Sequence, residues 1–276
     1  MTSFLDRMAA ASRARVEAAR RSESEAALAA LARAAPAPLP LRLMGFGLIA
    51  ELKRRSPAAG GLAGPGFDTG RQLEAYARGG AAAVSVLTEP DEFLGEPGDL
   101  EAAAKALRPL GCPVMRKDFL VDAYQVLEAR ALGASGILLI VAMLDDTALG
   151  ELVAAAAEQG LFVLLEAFDE DDLERLAKLR LPAGPQFLVG VNSRNLRTLA
   201  VDFGRFARLA GRLRDDLPAV AESGIETAEA AAAVAGLGYS LALVGSALMR
   251  DGDPAEAVGR FLAAGRGAAS ERAACS

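Results

Sequence analysis

The chain has 276 residues, 52% of them hydrophobic, which is enough to bury a large core and falls in the size range of a single α/β barrel. The formal net charge is −6, and no stretch gathers Lys and Arg without neighbouring Asp and Glu, so a nucleic-acid footprint is missing and the expected partner is a small molecule. There is no histidine, which excludes Ser-His-Asp and Cys-His nucleophile systems, imidazole metal ligands and histidine general bases together.

Residues 1–46 are rich in Ala, Arg and Glu and read as two helices, the second opened by Ser22 with Glu25 three residues on, a capping-box spacing. Met1 to Ala10 is charged and lacks the apolar segment of a secretory signal, and no run of about 20 apolar residues follows anywhere, so a cytoplasmic protein with no membrane partner is expected. A Pro-containing linker, Ala35 to Leu41, ends the helices. From Gly47 on, short apolar runs alternate with helical patterns: GLIAELK, AAVSVL, PVMRK, GILLIV, LFVLLEA, QFLVGVN, PAVAES and LALVG. Strand–helix repeats every 25–35 residues or so make a (β/α)8 TIM barrel. The competing doubly wound sheet lacks its usual G-x-G-x-x-G after the first strand. The expected layout is an N-terminal helical extension over residues 1–46, a barrel over 47–264 and a frayed tail over 265–276. Cys112 and Cys275 are far apart in sequence, and no disulfide framework is expected.

Strand parity then points to a site. In the first strand Leu48, Ala50 and Leu52 form the helix-facing set, so Glu51 and Lys53 share the inward face at the C-terminal end, where barrel enzymes place their chemistry. The third strand carries Pro113, Met115 and then Lys117 on one parity, with Phe119 in the loop beyond. The fifth carries Phe162, Leu164 and Glu166, and the sixth Leu188, Gly190 and Asn192. One such residue is explained by a solvated strand end; four at the same end and on the inward parity indicate a shared site. Lys117 and Lys53 can serve there as acids or charge stabilisers, Glu51 and Glu166 as bases or as groups that orient the lysines. After the seventh and eighth strands, Ser223-Gly224 and Gly245-Ser246 stand where barrels commonly build a phosphate cup, although Gly and Ser also serve as ordinary turn and cap residues.

With Glu51-Leu52-Lys53-Arg54-Arg55-Ser56-Pro57, Met115-Arg116-Lys117-Asp118-Phe119, Leu165-Glu166 and Val191-Asn192-Ser193-Arg194-Asn195-Leu196, the sequence resembles indole-3-glycerol-phosphate synthase from about Gly47 to near Leu262. SVLTE followed by Phe93 and Gly95, DAYQVLEARALGAS with LLIVAML, AESGI and LVGSALMR extend the likeness. It implies a carbon–carbon lyase of tryptophan biosynthesis that closes the ring of 1-(2-carboxyphenylamino)-1-deoxyribulose 5-phosphate, with loss of CO2 and water and with no metal or organic cofactor. It also implies that Lys117 protonates the substrate ketone, that Glu166 stabilises positive charge and later removes a proton, and that Lys53 with Glu51 serves the dehydration. Asn192 and Arg194 would contact the anthranilate end with Ser56 nearby, and Phe93, Phe119 and Leu138 would flank the ring. Ser223, Gly224, Gly245 and Ser246 would hold the phosphate, with Glu222, whose parity differs from that of Ser223, beside them.

The sequence departs from the family pattern in three places. Ala58-Ala59-Gly60-Gly61 follows Ser56-Pro57 where another Ser or Thr is usual, which is expected to loosen the first βα loop. Asn-Ser-Arg replaces Asn-Asn-Arg at 192–194, and Ala-Glu-Ser replaces Ser-Glu-Ser at 221–223. The rival readings are phosphoribosylanthranilate isomerase, an aldolase using Lys117 or Lys53 as a Schiff-base amine, and an inactive barrel serving as a scaffold. A monomer or weak homo-oligomer is expected.

Overall fold

The computed structural model describes residues 3–56, 60–61, 66–195, 198 and 200–275. Eight parallel strands close into a barrel: β1 Gly47–Leu52, β2 Ala83–Leu87, β3 Val114–Lys117, β4 Gly136–Ile140, β5 Phe162–Ala167, β6 Phe187–Asn192, β7 Ala219–Glu222 and β8 Leu241–Val244. Each strand pairs with the next in the chain, and β8 returns to β1 through Gly47 opposite Leu241. Closure leaves the barrel sheet without a free edge.

The period-2 pattern accounts for both faces. Leu48, Ala50, Leu52, Val163, Leu165, Val189 and Val191 pack outward with the helices in one large buried cluster. Ile49, Met115, Leu138, Ile140, Phe162, Leu164, Leu188, Val220, Leu241 and Leu243 fill the interior in a second cluster. Burying one such Leu or Ile contributes about 1.5–3 kcal/mol. At the base of β4, Gly136 is required by packing, since a Cβ there would lie 2.4 Å from the Phe162 ring. The interior is therefore solid below, and the polar ends of β1, β3, β5, β6 and β7 make a pocket above.

Two helices precede the barrel, α1 Phe4–Ser22 and α2 Glu25–Ala34. Ser3 opens α1 with a reciprocal capping box to Asp6. Contrary to the expectation from spacing, α2 is opened by Ser24 and not by Ser22. The Ser24 hydroxyl accepts from the Ala27 amide, while the Ser22 hydroxyl donates back to the Ala19 carbonyl and closes α1. Met8 of α1 joins the barrel's interior cluster, and Val16 and Leu28 pack on Tyr124. The C-terminal segment 265–276 was expected to fray; instead a helix runs from Pro254 to Cys275, and Ala268 and Ala269 lie partly buried against the core. Gly265 permits that docking, because a Cβ there would lie 2.1 Å from the Phe46 ring.

Candidate active site

The C-terminal mouth of the barrel gathers the residues that parity, the two turns and the family resemblance selected. Glu51, Lys53, Phe93, Lys117, Phe119, Leu138, Glu166, Asn192, Arg194, Glu222, Ser223, Gly224, Gly245 and Ser246 all line one pocket. Ser56 is the exception: its backbone pairs with Gly60, but its side chain lies outside the described residues, as do positions 57–59 of the loop that follows. Phe4, Leu87, Asp118, Ile140, Ile225, Glu226 and Leu243 also line the pocket and were not anticipated. Ile140 and Leu243 were readable by extending the parity of Leu138 and Gly245. Phe4 arrives from α1 and meets Phe119 edge-on at 5.9 Å, a contact that no local pattern announces.

The charged groups form two sets. On one side the Lys53 ammonium meets Glu51 Oε1 at 2.8 Å. On the other, Lys117 Nζ is 3.5 Å from Glu166 Oε2 and 3.9 Å from Glu222 Oε2. Asn192 Nδ2 donates to Glu166 Oε2 at 3.1 Å, while its Oδ1 accepts from the Arg194 amide at 2.9 Å, so the amide orientation is fixed by two partners. Glu222 shares the inward parity of Val220 and lies opposite Asn192, which seats it among the acid–base groups.

The environment sets the protonation of these groups. Burial alone would push the Lys117 ammonium down, but the carboxylates of Glu166, Glu222 and Glu51 outweigh it and hold Lys117 above an ordinary lysine. Burial would raise Glu51, and its neighbours Lys53 and Lys117 more than offset that, leaving it below the usual carboxylate value. Burial and then the Glu166 charge push Glu222 well above that value, with Lys117 opposing.

The residue after Lys117 anchors it. Asp118 accepts from Arg15 Nη2 and Thr88 Oγ1, both at 2.8 Å, from Arg116 Nη2 at 3.1 Å and from the Phe119 amide at 2.8 Å. Ser12 of α1 donates to the Phe119 carbonyl and accepts from Gln125. Helix α1 is thus bound to the chain immediately beyond the lysine.

Opposite, Ser223 and Gly224 both take left-handed backbone angles, φ 66° and 74°. For Ser223 this costs about 1 kcal/mol or more, strain of the kind found at ligand sites. The buried Ser193 hydroxyl donates to the Ser223 carbonyl at 2.9 Å and holds the turn. A Cβ on Gly224 would strike Val201 at 2.5 Å. Gly245 leaves room for the Glu51–Lys53 pair, since its Cβ would lie 2.6 Å from Glu51 Oε1, and Ser246 opens the short helix Ser246–Arg250.

A closed (β/α)8 barrel with acid–base pairs and two Gly-Ser turns at its C-terminal mouth defines an enzyme acting on a small phosphorylated molecule. The family model for indole-3-glycerol phosphate synthase matches residues 5–261. Curated proteins of that name are 48% identical over 220 residues in Nocardioides sp. (80% of this chain, 81% of the relative) and 46% identical over 220 residues in Micrococcus luteus (80% and 79%). Another, from Mycolicibacterium smegmatis, is 43% identical over 221 residues (80% and 78%). This chain belongs to the indole-3-glycerol phosphate synthase family. Among solved structures, 3-hexulose-6-phosphate synthase from Salmonella typhimurium is similar at a TM-score of 0.60 and 14% identity, covering 82% of this chain and 100% of that one, a likeness of fold alone. The family match begins within α1, well before the segments that carried the resemblance in sequence.

Proposed function

We infer that this chain catalyses the indole-3-glycerol-phosphate synthase reaction, a carboxy-lyase step of tryptophan biosynthesis. Its substrate would be 1-(2-carboxyphenylamino)-1-deoxyribulose 5-phosphate. The observation that carries this reading is the division of the pocket into two lysine–carboxylate sets, Lys117 with Glu166 and Lys53 with Glu51, which suits a reaction with two separate proton deliveries.

In the first delivery the aromatic carbon bearing the carboxylate attacks the C2 ketone. Lys117, held protonated by its carboxylates, gives its proton to the ketone oxygen as the carbon–carbon bond forms. Glu166 faces the positive charge that develops on the anilino system. The carboxylate leaves as CO2, its bonding electrons returning to the ring. In the second delivery Lys53 protonates the new hydroxyl, which departs as water, and Glu51 is placed to pass a replacement proton from solvent back to the Lys53 amine. Removal of the remaining ring proton by Glu166 completes the indole.

Arg194, whose backbone amide donates to Asn192, supplies charge for the substrate carboxylate, and Phe93, Phe119 and Leu138 bound the aromatic ring. Ser223, Gly224, Gly245 and Ser246 receive the phosphate. Each set is part of this proposal, as are Glu222 as a substrate-contacting residue, the absence of any cofactor or nucleic-acid partner, a monomer or weak homo-oligomer, and a cytoplasmic location. Among the described residues no helix is long and apolar enough to cross a membrane.

A Schiff base on Lys117 is disfavoured because a nucleophilic lysine needs a depressed pKa, and the surroundings of Lys117 raise it; borohydride trapping with a carbonyl substrate tests the same chemistry at Lys53. Indole fluorescence developing from the carboxyphenylamino substrate with purified protein is the expected result. No fluorescence under conditions where a known synthase succeeds would count for the inactive scaffold.

A further inference from the structure

Gly190 has an ordinary extended backbone, outside the left-handed region, so its φ does not explain the glycine. Its neighbours do. It sits on the inward parity of β6 opposite Glu166, and a Cβ there would lie 2.1 Å from Glu222 Oε1 and 3.2 Å from Glu222 Cδ. The Glu222 carboxyl therefore occupies the space that any other residue at 190 would fill.

Glu222 is 1% exposed, and among the described residues neither of its oxygens receives a hydrogen bond. Glu166, by contrast, takes the nearer place beside Lys117 and the Asn192 amide. Two carboxyls thus face one ammonium, Glu166 Oε2 at 3.5 Å and Glu222 Oε2 at 3.9 Å from Lys117 Nζ, near enough for one proton to serve both. A buried carboxylate with no donor is costlier than a protonated one, and two like charges in contact do not both ionise.

We propose that Gly190 is a positioning residue whose missing side chain seats the Glu222 carboxyl, and that Glu222 and Glu166 there share one proton that reloads Lys117. The relay rests on the synthase reading; the seat and the shared proton do not. After Lys117 has given its proton to the ketone oxygen, the neutral amine takes the shared proton from Glu222, which restores the ammonium; both carboxylates are then ionised, a state sustained only while the substrate carries the positive charge on its anilino system that Glu166 faces. The proton that Glu166 later removes from the ring returns the pair to its starting state. This set therefore closes its own cycle, and the one proton that the whole reaction takes up, as the substrate carboxylate becomes CO2, enters through Lys53. The charged and polar groups facing Glu222 are Lys117, Glu166, Asn192, Glu51 and Lys53, with Arg194 and Glu226 on the loops above. Burial and the Glu166 charge both favour the protonated form, against Lys117 alone.

Infrared difference spectroscopy on substrate-free protein at neutral pH tests the shared proton. The carbonyl band of a protonated carboxyl is expected in wild type and lost in Glu222→Gln, whose amide still donates to Glu166. Identical spectra from the two folded proteins would overturn the proposal. A thermal cycle tests the seat: Gly190→Ala should lower Tm in wild type and lower it much less in Glu222→Ala, where the carboxyl is gone and Leu164 Cδ1, 3.1 Å from that Cβ, is the neighbour that remains. An equal fall in both backgrounds would make Gly190 a backbone requirement and overturn its role. Neither readout uses substrate, so both stand or fall apart from the synthase activity. With activity in hand, Gly190→Ala should lower kcat about tenfold or more and move KM little, the signature of a lost proton relay. An unchanged kcat with the infrared band gone would overturn the relay.

Discussion

Replacing Asp118 by Asn tests whether Lys117 is held by the network behind it. The Asp118 carboxylate is almost fully buried and accepts from two arginines, one threonine hydroxyl and one backbone amide. The substituted amide would keep the shape, lose the charge and turn an NH2 towards at least one of those donors. Arg116, 3% exposed, would then have Glu128 as its one counterion among the described residues. Breaking a buried pair from one side costs roughly 3–5 kcal/mol. For a chain of this size that corresponds to a Tm fall of about 6–20 °C. Arg15→Ala removes a partner that is 29% exposed and leaves Asp118 its other three donors, so about 1 kcal/mol is expected. Urea unfolding at constant m gives both numbers. Asp118→Asn should also lower kcat, since the preceding residue is the proposed acid. A loss under about 1 kcal/mol, or the same loss for both variants, would refute the network as the anchor of Lys117.

Ser246→Ala should chiefly raise KM, roughly tenfold for one lost hydrogen bond to a charged group, with kcat little changed, as read by steady-state fluorescence. Ser193→Ala frees the Ser223 carbonyl and should raise KM without touching a proposed acid or base; an unaltered KM would separate this hydroxyl from the phosphate turn. The raised Glu222 value gives a pH prediction. Stability from its protonated form is complete below the ordinary carboxylate value of 4.5 and is lost as pH rises through the folded value. Glu222→Gln removes that loss, so its urea midpoint should gain on wild type as pH rises, by at most about 1.4 kcal/mol per pH unit. Lys117, raised, keeps its ion pairs throughout that window and loses them only in strong alkali.

Much of the fold was legible because strand parity and strand–helix alternation are local patterns. Glu51, Lys117, Glu166 and Asn192 all face inward, as their spacing from apolar neighbours required. What stayed hidden was set at long range. Phe4 reaches Phe119 from the opposite end of the first helix, and the Arg15–Asp118 contact spans 103 residues. The seat of Glu222 depends on Gly190 of the adjacent strand, and a glycine reads the same in sequence whether it serves a turn, a bulge or an empty volume. The choice between Ser22 and Ser24 turned on which hydroxyl meets an unsatisfied amide, a matter of one or two residues that capping patterns do not resolve.

Everything proposed for the chemistry depends on the Lys117 ammonium delivering the proton for ring closure. The direct measurement is steady-state indole fluorescence with the carboxyphenylamino substrate, comparing wild type with Lys117→Ala. The expected result is an active wild type and a kcat roughly 10²–10⁴ lower in the variant, with KM within a fewfold. A variant whose loss is confined to KM, or one that keeps wild-type kcat, would contradict it.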